Sequence, residues 1–119
     1  MQARLYGIRN CDTVKKARAW IDSKGIEIEF HDFKAEGVSP EQIKNWLRHT
    51  DWETLLNRRG TTWRKLPDAK KTAVKDAASA AALMLEMPSI IKRPVLESGS
   101  QLLVGFDPDA YQALFKKRV

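Results

Sequence analysis

The chain has 119 residues, which is enough for one domain with one hydrophobic core and too few for two. Its composition, 43% hydrophobic and 30% charged, is typical of a globular protein, and no apolar run approaches the length of a membrane span. The net charge of +6 is spread along the chain among 15 acidic residues, which indicates a solvated surface rather than a nucleic-acid-binding face. Nucleic-acid binding is therefore a minor hypothesis.

The first residues, Met1-Gln2-Ala3-Arg4, lead directly into a predicted strand, so we expect no signal peptide. The chain contains one cysteine, which cannot form an internal disulfide. Both observations favour a reducing cytoplasm as the compartment.

A β-α-β unit opens the chain. A short apolar run over residues 3–6 predicts a strand that ends at Gly7. A helix follows from Asp12, with Asp12 or Thr13 placed to cap it. Its apolar face holds Val14, Ala17 and Ile21. Residues 26–33 alternate between apolar and polar side chains, which predicts a second, half-buried strand parallel to the first.

The pattern then becomes helical. Ser39-Pro40-Glu41-Gln42 has the features of a capping box and predicts a helix start. Short helices are predicted over residues 51–56 and from Pro67-Asp68, separated by Asn57-Arg58-Arg59-Gly60. An alanine-rich helix over residues 76–86 ends this block before Pro88.

Strand signals return in the last part of the chain. Residues 94–97 and 101–104 flank Ser98-Gly99-Ser100 and predict a hairpin, and Asp107-Pro108 predicts the start of a final helix. The order β-α-β, helical block, β-β-α predicts one α/β domain over residues 1–119. We expect the thioredoxin-like fold, with a mixed four-stranded sheet and an all-helical insertion at about residues 38–88.

Cys11 lies between the first strand and the first helix. Helix N-termini present unpaired N–H groups and favour negative charge, so the position favours a thiolate, and Arg9, Lys15 and Lys16 add positive charge. The alternative is a buried structural cysteine, which is more typical of the apolar face of an element than of a polar turn. We therefore interpret Cys11 as a reactive thiol. His31 and His49 have no metal-ligand spacing, and no metal site is expected.

Four segments resemble the arsenate reductase (ArsC) family. Cys11 with Lys15 four residues later resembles the C-x-x-x-[R/K] segment of that family. Residues 55–63 resemble the segment with its first anion-binding arginine, and Ile90-Ile91-Lys92-Arg93-Pro94-Val95 resembles its I-x-R-P segment. Val104-Gly105-Phe106 matches the turn after its last strand. Within the family, the chain is most similar to the Spx/YffB-like branch, and there to the YffB-like group.

The resemblance implies a glutathione-dependent thiol, disulfide or oxyanion reductase with Cys11 as its single nucleophile and glutathione as cosubstrate. It implies a cis bond between Arg93 and Pro94 that brings Arg93 beside the thiol, where its guanidinium would bind an oxyanion or carboxylate. Arg59 or its neighbour Arg58 would be the second anion ligand. Further binding or electrostatic roles are expected for three residues near the thiol, namely Arg9, Asn10 and Lys15. We expect a monomer that binds glutathione and a small oxyanion or disulfide substrate, and no membrane.

Three differences from the family pattern bear on function. Position 14 is Val, so the C-x-x-C pair of the Spx redox switch is missing. The segment around Cys11 lacks the serine typical of arsenate reductases, and the region after Pro94 lacks their third arginine. These differences make arsenate reduction a weaker alternative than thiol chemistry. A second alternative is an Spx-like regulator that binds RNA polymerase without a redox switch.

Overall fold

The computed structural model describes residues 3–116. Met1 and Gln2, on which the expectation of no signal peptide depends, lie outside the described residues. Contacts divide the chain into two compact units: one is formed by residues up to 35 together with residues from 93 onward, and the other is residues 36–92. No helix within residues 3–116 is long and apolar enough to cross a membrane.

The first unit contains the whole four-stranded sheet, in the order β2-β1-β3-β4. Its strands are β1 (Ala3–Gly7), β2 (Ile28–Asp32), β3 (Val95–Ser98) and β4 (Gln101–Val104). The central strand β1 pairs in parallel with β2 and antiparallel with β3, and β3 and β4 form the predicted hairpin. This mixed sheet confirms the predicted thioredoxin-like fold class.

Two helices accompany the sheet, α1 (Asp12–Ser23) and α8 (Pro108–Lys116). Their buried side chains join those of β1 and β3 in one core, because alternate strand residues face the same side. The predicted apolar face of α1 is confirmed, and α8 likewise buries one face. The fully or nearly fully buried members of this core are Ala3, Leu5, Ala17, Ile21, Leu96, Tyr111, Leu114 and Phe115.

The predicted second strand is longer than the observed one. β2 covers Ile28–Asp32, whereas Phe33 begins a short helix, α2 (Phe33–Glu36). The physical reason is the Asp32 carboxylate, whose Oδ1 accepts hydrogen bonds from the N–H groups of Lys34 (3.0 Å) and Ala35 (3.3 Å). An aspartate that accepts these donors starts a helix and ends the strand.

The second unit is helical. Its helices are α3 (Pro40–Leu47), α4 (Trp52–Leu55), α5 (Thr61–Arg64), α6 (Asp68–Ala73), α7 (Ala77–Glu86) and a 3-10 helix (Pro88–Ile90). The capping box at Ser39 and Gln42 is confirmed. The helix α5 was not predicted, since its four residues carry no apolar periodicity. An antiparallel bridge between Leu56 and Ile91 connects the segment after α4 with the end of this unit.

Candidate active site

Cys11 lies at the N-terminus of α1. It is the N-cap residue, with an extended backbone (φ −138°, ψ 124°), and its carbonyl accepts the Lys15 N–H at 2.9 Å. The thiol is partly exposed, as expected for a reactive cysteine. The prediction that Asp12 or Thr13 caps the helix is wrong, because Asp12 is already the first helical residue. No side chain makes a capping hydrogen bond at this end, so the first N–H groups of α1 are left facing the sulfur.

The turn before Cys11 is fixed by close packing between β1 and α1. A Cβ atom on Gly7 would lie 2.8 Å from Cγ2 of Val14 and 3.2 Å from Cγ1. Val14 itself is completely buried. Only a residue without a side chain lets the first turn of α1 approach the end of β1 this closely, and that approach sets where Cys11 lies.

The surroundings of Cys11 favour its thiolate. Burial raises the pKa of the thiol, but three groups outweigh this effect. They are the backbone N–H of Val14, the Arg93 guanidinium, through a hydrogen bond and its positive charge, and the backbone N–H of Thr13. The pKa of Cys11 therefore lies below the ordinary value. A thiol with a lowered pKa has a larger thiolate fraction at neutral pH, and the thiolate is the nucleophile.

Arg93 reaches the thiol because of strand pairing. β3 runs antiparallel to β1 with Val95 opposite Tyr6, so the start of β3 lies beside the end of β1. The Arg93–Pro94 peptide bond is cis, as predicted. The Arg93 side chain is half-buried, and its guanidinium is among the groups that lower the pKa of Cys11.

Pro94 is buried and tied to the turn after β4. Its carbonyl accepts the N–H of Gly105 at 2.8 Å. Gly105 has φ of 88°, which favours glycine, and its own carbonyl accepts the Tyr111 hydroxyl at 3.0 Å. The turn after the last strand thus holds the backbone beside Arg93.

The other three residues expected near the thiol are exposed. Arg9 and Asn10 are in the turn, and Arg9 Nη1 lies 3.8 Å from Oδ2 of Asp32. Lys15 contributes a backbone hydrogen bond to Cys11. Neither the Arg9 nor the Lys15 side chain is among the groups that most affect the Cys11 pKa. Their roles in binding stay predictions.

Asp32 is a residue of this region that the sequence analysis missed. It is only 7% exposed, although it is an acid. Burial raises the pKa of its carboxyl, but the N–H groups of Ala35, Arg9 and Lys34 and the charge of Arg9 outweigh it, so the pKa is lowered. The available signal was an aspartate at the end of a strand and directly before a helical segment.

The second unit presents Arg58 and Arg59 on one loop. Arg58 Nη2 lies 3.6 Å from Oε2 of Glu53, and its guanidinium carbon is 5.6 Å from the Trp52 ring centroid. Arg59 is exposed, and within residues 3–116 its side chain makes no ion pair. Its N–H donates to Oδ1 of Asn57 at 3.1 Å, which fixes the loop. Of the two arginines, Arg59 is thus the one without an ion pair among the described residues.

No cluster that could hold a metal is found in the part of the chain that the structure describes, where a cluster means three or more His, Cys, Asp or Glu side chains. His31 packs on Tyr6 with ring centroids 5.2 Å apart, and His49 is exposed after α3. Trp46, in the second unit, is completely buried.

The fold and the site define a thioredoxin-like protein with one cysteine at the N-terminus of its first helix. The sequence model of the ArsC family matches residues 6–114, and the chain belongs to that family. A solved YffB protein is 54% identical, with a TM-score of 0.90, over 94% of this chain and 97% of that one. The solution structure of an ArsC-related protein from Brucella melitensis is 53% identical, with a TM-score of 0.76, over 98% and 96%.

Two further relatives show the breadth of the similarity. An uncharacterized protein of Haemophilus influenzae is 38% identical over 93% of this chain and 96% of its own length. The global transcriptional regulator Spx of Listeria innocua is 27% identical over 97% of this chain and 88% of its own length. These matches confirm the resemblance to the ArsC family and its Spx/YffB-like branch.

Proposed function

We propose that this protein is a glutathione-dependent thiol–disulfide reductase in which Cys11 is the only nucleophile. The observation that carries the proposal is the environment of Cys11, where the α1 N–H groups and the Arg93 guanidinium lower the pKa of the thiol. Such a thiolate attacks the sulfur of a disulfide.

The proposed reaction has two exchanges. The Cys11 thiolate attacks the glutathione sulfur of a mixed disulfide, which forms a Cys11–glutathione disulfide and releases the substrate as a thiolate. A second glutathione thiolate attacks the glutathione sulfur bound to Cys11, which releases oxidised glutathione and restores the Cys11 thiolate. An external thiol completes the cycle because the chain has no second cysteine.

Arg93 has two roles in this scheme. Its charge and hydrogen bond stabilise the Cys11 thiolate both before attack and as the leaving group of the second exchange. Its planar guanidinium also suits a carboxylate of glutathione or an oxyanion. Arg59 is the proposed second anion ligand, by the family resemblance and by its lack of an ion pair in the described chain. We place the reaction in a reducing cytoplasm, where glutathione is the main thiol pool.

The test is mass spectrometry of the native protein after incubation with oxidised glutathione. We expect one glutathione adduct on Cys11 and none on Cys11→Ser. The adduct should be removed by reduced glutathione. A wild-type protein that stays unmodified when folded but is modified when denatured would contradict the proposal.

A second candidate is an Spx-like regulatory protein that binds RNA polymerase, which the similarity to Spx favours. Val14 occupies the position of the second cysteine, so binding would not depend on a disulfide switch. Retention of purified RNA polymerase on the immobilised protein, equal for wild type and Cys11→Ser, would favour this function. Arsenate reduction, the weaker alternative, is assayed in parallel with a small disulfide.

A further inference from the structure

Asp32 is a buried acid that the proposed reaction does not use. Its side chain is 9% exposed and lies at the end of β2. Oδ1 accepts the N–H groups that begin α2, from Lys34 and Ala35. Oδ2 accepts the N–H of Arg9 at 3.4 Å, from a different part of the chain.

Strand register explains why one carboxylate reaches both segments. Gly7, the last residue of β1, is the parallel partner of Asp32, the last residue of β2. The parallel strands β1 and β2 therefore end at the same edge of the sheet, so Asp32 lies beside the turn that carries Cys11. A buried carboxylate is costly unless its oxygens are satisfied, so these N–H groups are held in place by the acid.

The backbone contact is more important than the ion pair. The Arg9 side chain is 68% exposed, and its Nη1 is 3.8 Å from the carboxylate. An ion pair with so exposed a partner is weak. The Arg9 N–H, in contrast, belongs to the backbone two residues before Cys11.

We propose that Asp32 is a positioning residue for Cys11, which fixes the turn between β1 and α1 by its hydrogen bond to Arg9. The inference deepens the proposed function and rests on it for its biological meaning. In physical terms, the Cys11 sulfur stays beside the α1 N–H groups and Arg93 only while the hydrogen bond to Asp32 holds this turn.

The sign of one measurement separates positioning from simple electrostatics. Removing a negative charge near a thiol lowers the thiol pKa, because the thiolate loses a repulsive neighbour. Releasing the turn has the opposite effect, because the thiolate loses its N–H and guanidinium partners. A rise in the pKa of Cys11 therefore reports positioning.

Two variants make the test robust. Asn is a good N-cap, so Asp32→Asn keeps an oxygen for Lys34 and Ala35 but turns its amide group towards the Arg9 N–H. Asp32→Ala removes both contacts. We expect both variants to raise the pKa of Cys11 towards the free-thiol value of about 8.5 and to slow alkylation at neutral pH, by up to about tenfold for each unit of rise.

The measurement is the pH dependence of Cys11 alkylation by iodoacetamide, with folding checked by circular dichroism. The matched control is Asp76→Ala, which removes the carboxylate that accepts the Ser79 N–H at 2.9 Å at the start of α7 in the other unit. It should lower thermal stability without moving the Cys11 pKa.

An unchanged or lowered Cys11 pKa in folded Asp32→Asn would overturn the inference. An equal rise in Asp76→Ala would also overturn it, because the effect would then follow general destabilisation. The assay contains no glutathione, so its result can be scored even where the proposed reductase activity fails.

Discussion

The turn that carries Cys11 and the loop that carries Arg58 and Arg59 both present polar groups between secondary-structure elements, but they are built differently. The Cys11 turn is held by the packing of Gly7 on Val14 and by the buried Asp32. The arginine loop is held through Asn57, and both of its arginines are exposed. In the proposed function, the first region fixes the reacting sulfur, whereas the second offers positive charge to a ligand.

Arg93→Ala should have the largest effect on activity. Loss of a charge-assisted contact in a partly desolvated site costs on the order of 2–4 kcal/mol, or roughly 30-fold to 1,000-fold in turnover. Arg93→Lys should restore little, because an ammonium keeps the charge but loses the planar fork. The assay is glutathione-dependent turnover of a small disulfide.

The control for that prediction is Arg4→Ala, which removes an exposed arginine of the same unit, paired with Glu29 at 3.6 Å. It should leave turnover close to wild type. Equal losses in Arg93→Ala and Arg4→Ala, with both proteins folded, would contradict the role of Arg93.

Gly7→Ala should have the next largest effect. Its Cβ would overlap the Val14 methyl groups, so α1 or the strand end must move. Overpacking of this kind costs about 1–3 kcal/mol of folding stability. The thermal unfolding temperature and the Cys11 alkylation rate should both fall. Adding Val14→Ala to the Gly7→Ala variant should restore part of the alkylation rate. A Gly7→Ala protein with wild-type stability and reactivity would show that this contact does not position the thiol.

Arg59→Ala and Arg58→Ala should separate binding from stability. Loss of Arg59 should raise KM for glutathione by roughly fivefold, equivalent to about 1 kcal/mol, with kcat little changed. Loss of Arg58, which is paired with Glu53, should cost roughly 0.2–1 kcal/mol of stability and leave KM nearly unchanged. Steady-state kinetics and thermal unfolding test both. The reverse assignment would place the anion ligand at Arg58.

Lys15→Ala should have the smallest effect, at most a few-fold in turnover. Its side chain is exposed, and its hydrogen bond to Cys11 comes from the backbone, which the substitution keeps. A loss in turnover as large as that of Arg93→Ala would require a direct role for the ammonium group.

The sequence was sufficient wherever a feature depends on neighbours along the chain. The capping box at Ser39, the hairpin around Gly99 and the apolar face of α1 are local patterns, and all three are confirmed. The position of Cys11 follows in the same way from the end of one element and the start of the next.

Features that depend on contacts across the fold could not be predicted from the residues alone. The role of Asp32 requires the register that pairs it with Gly7, and the close approach of Gly7 to Val14 requires the packing of a helix on a strand. The choice between Arg58 and Arg59 requires knowledge of which side chain pairs with Glu53. The contact of Arg93 with Cys11 was implied only by family resemblance, because 82 positions separate the two residues in the chain.

The most direct test of the account is the pKa of Cys11, measured by pH-dependent alkylation in the wild type and in Arg93→Ala. The account predicts a wild-type value clearly below the free-thiol reference of about 8.5 and a higher value in Arg93→Ala. A wild-type pKa at or above that reference, or one that Arg93→Ala leaves unchanged, would contradict the claim that Arg93 and the N-terminus of α1 activate Cys11 as a nucleophile.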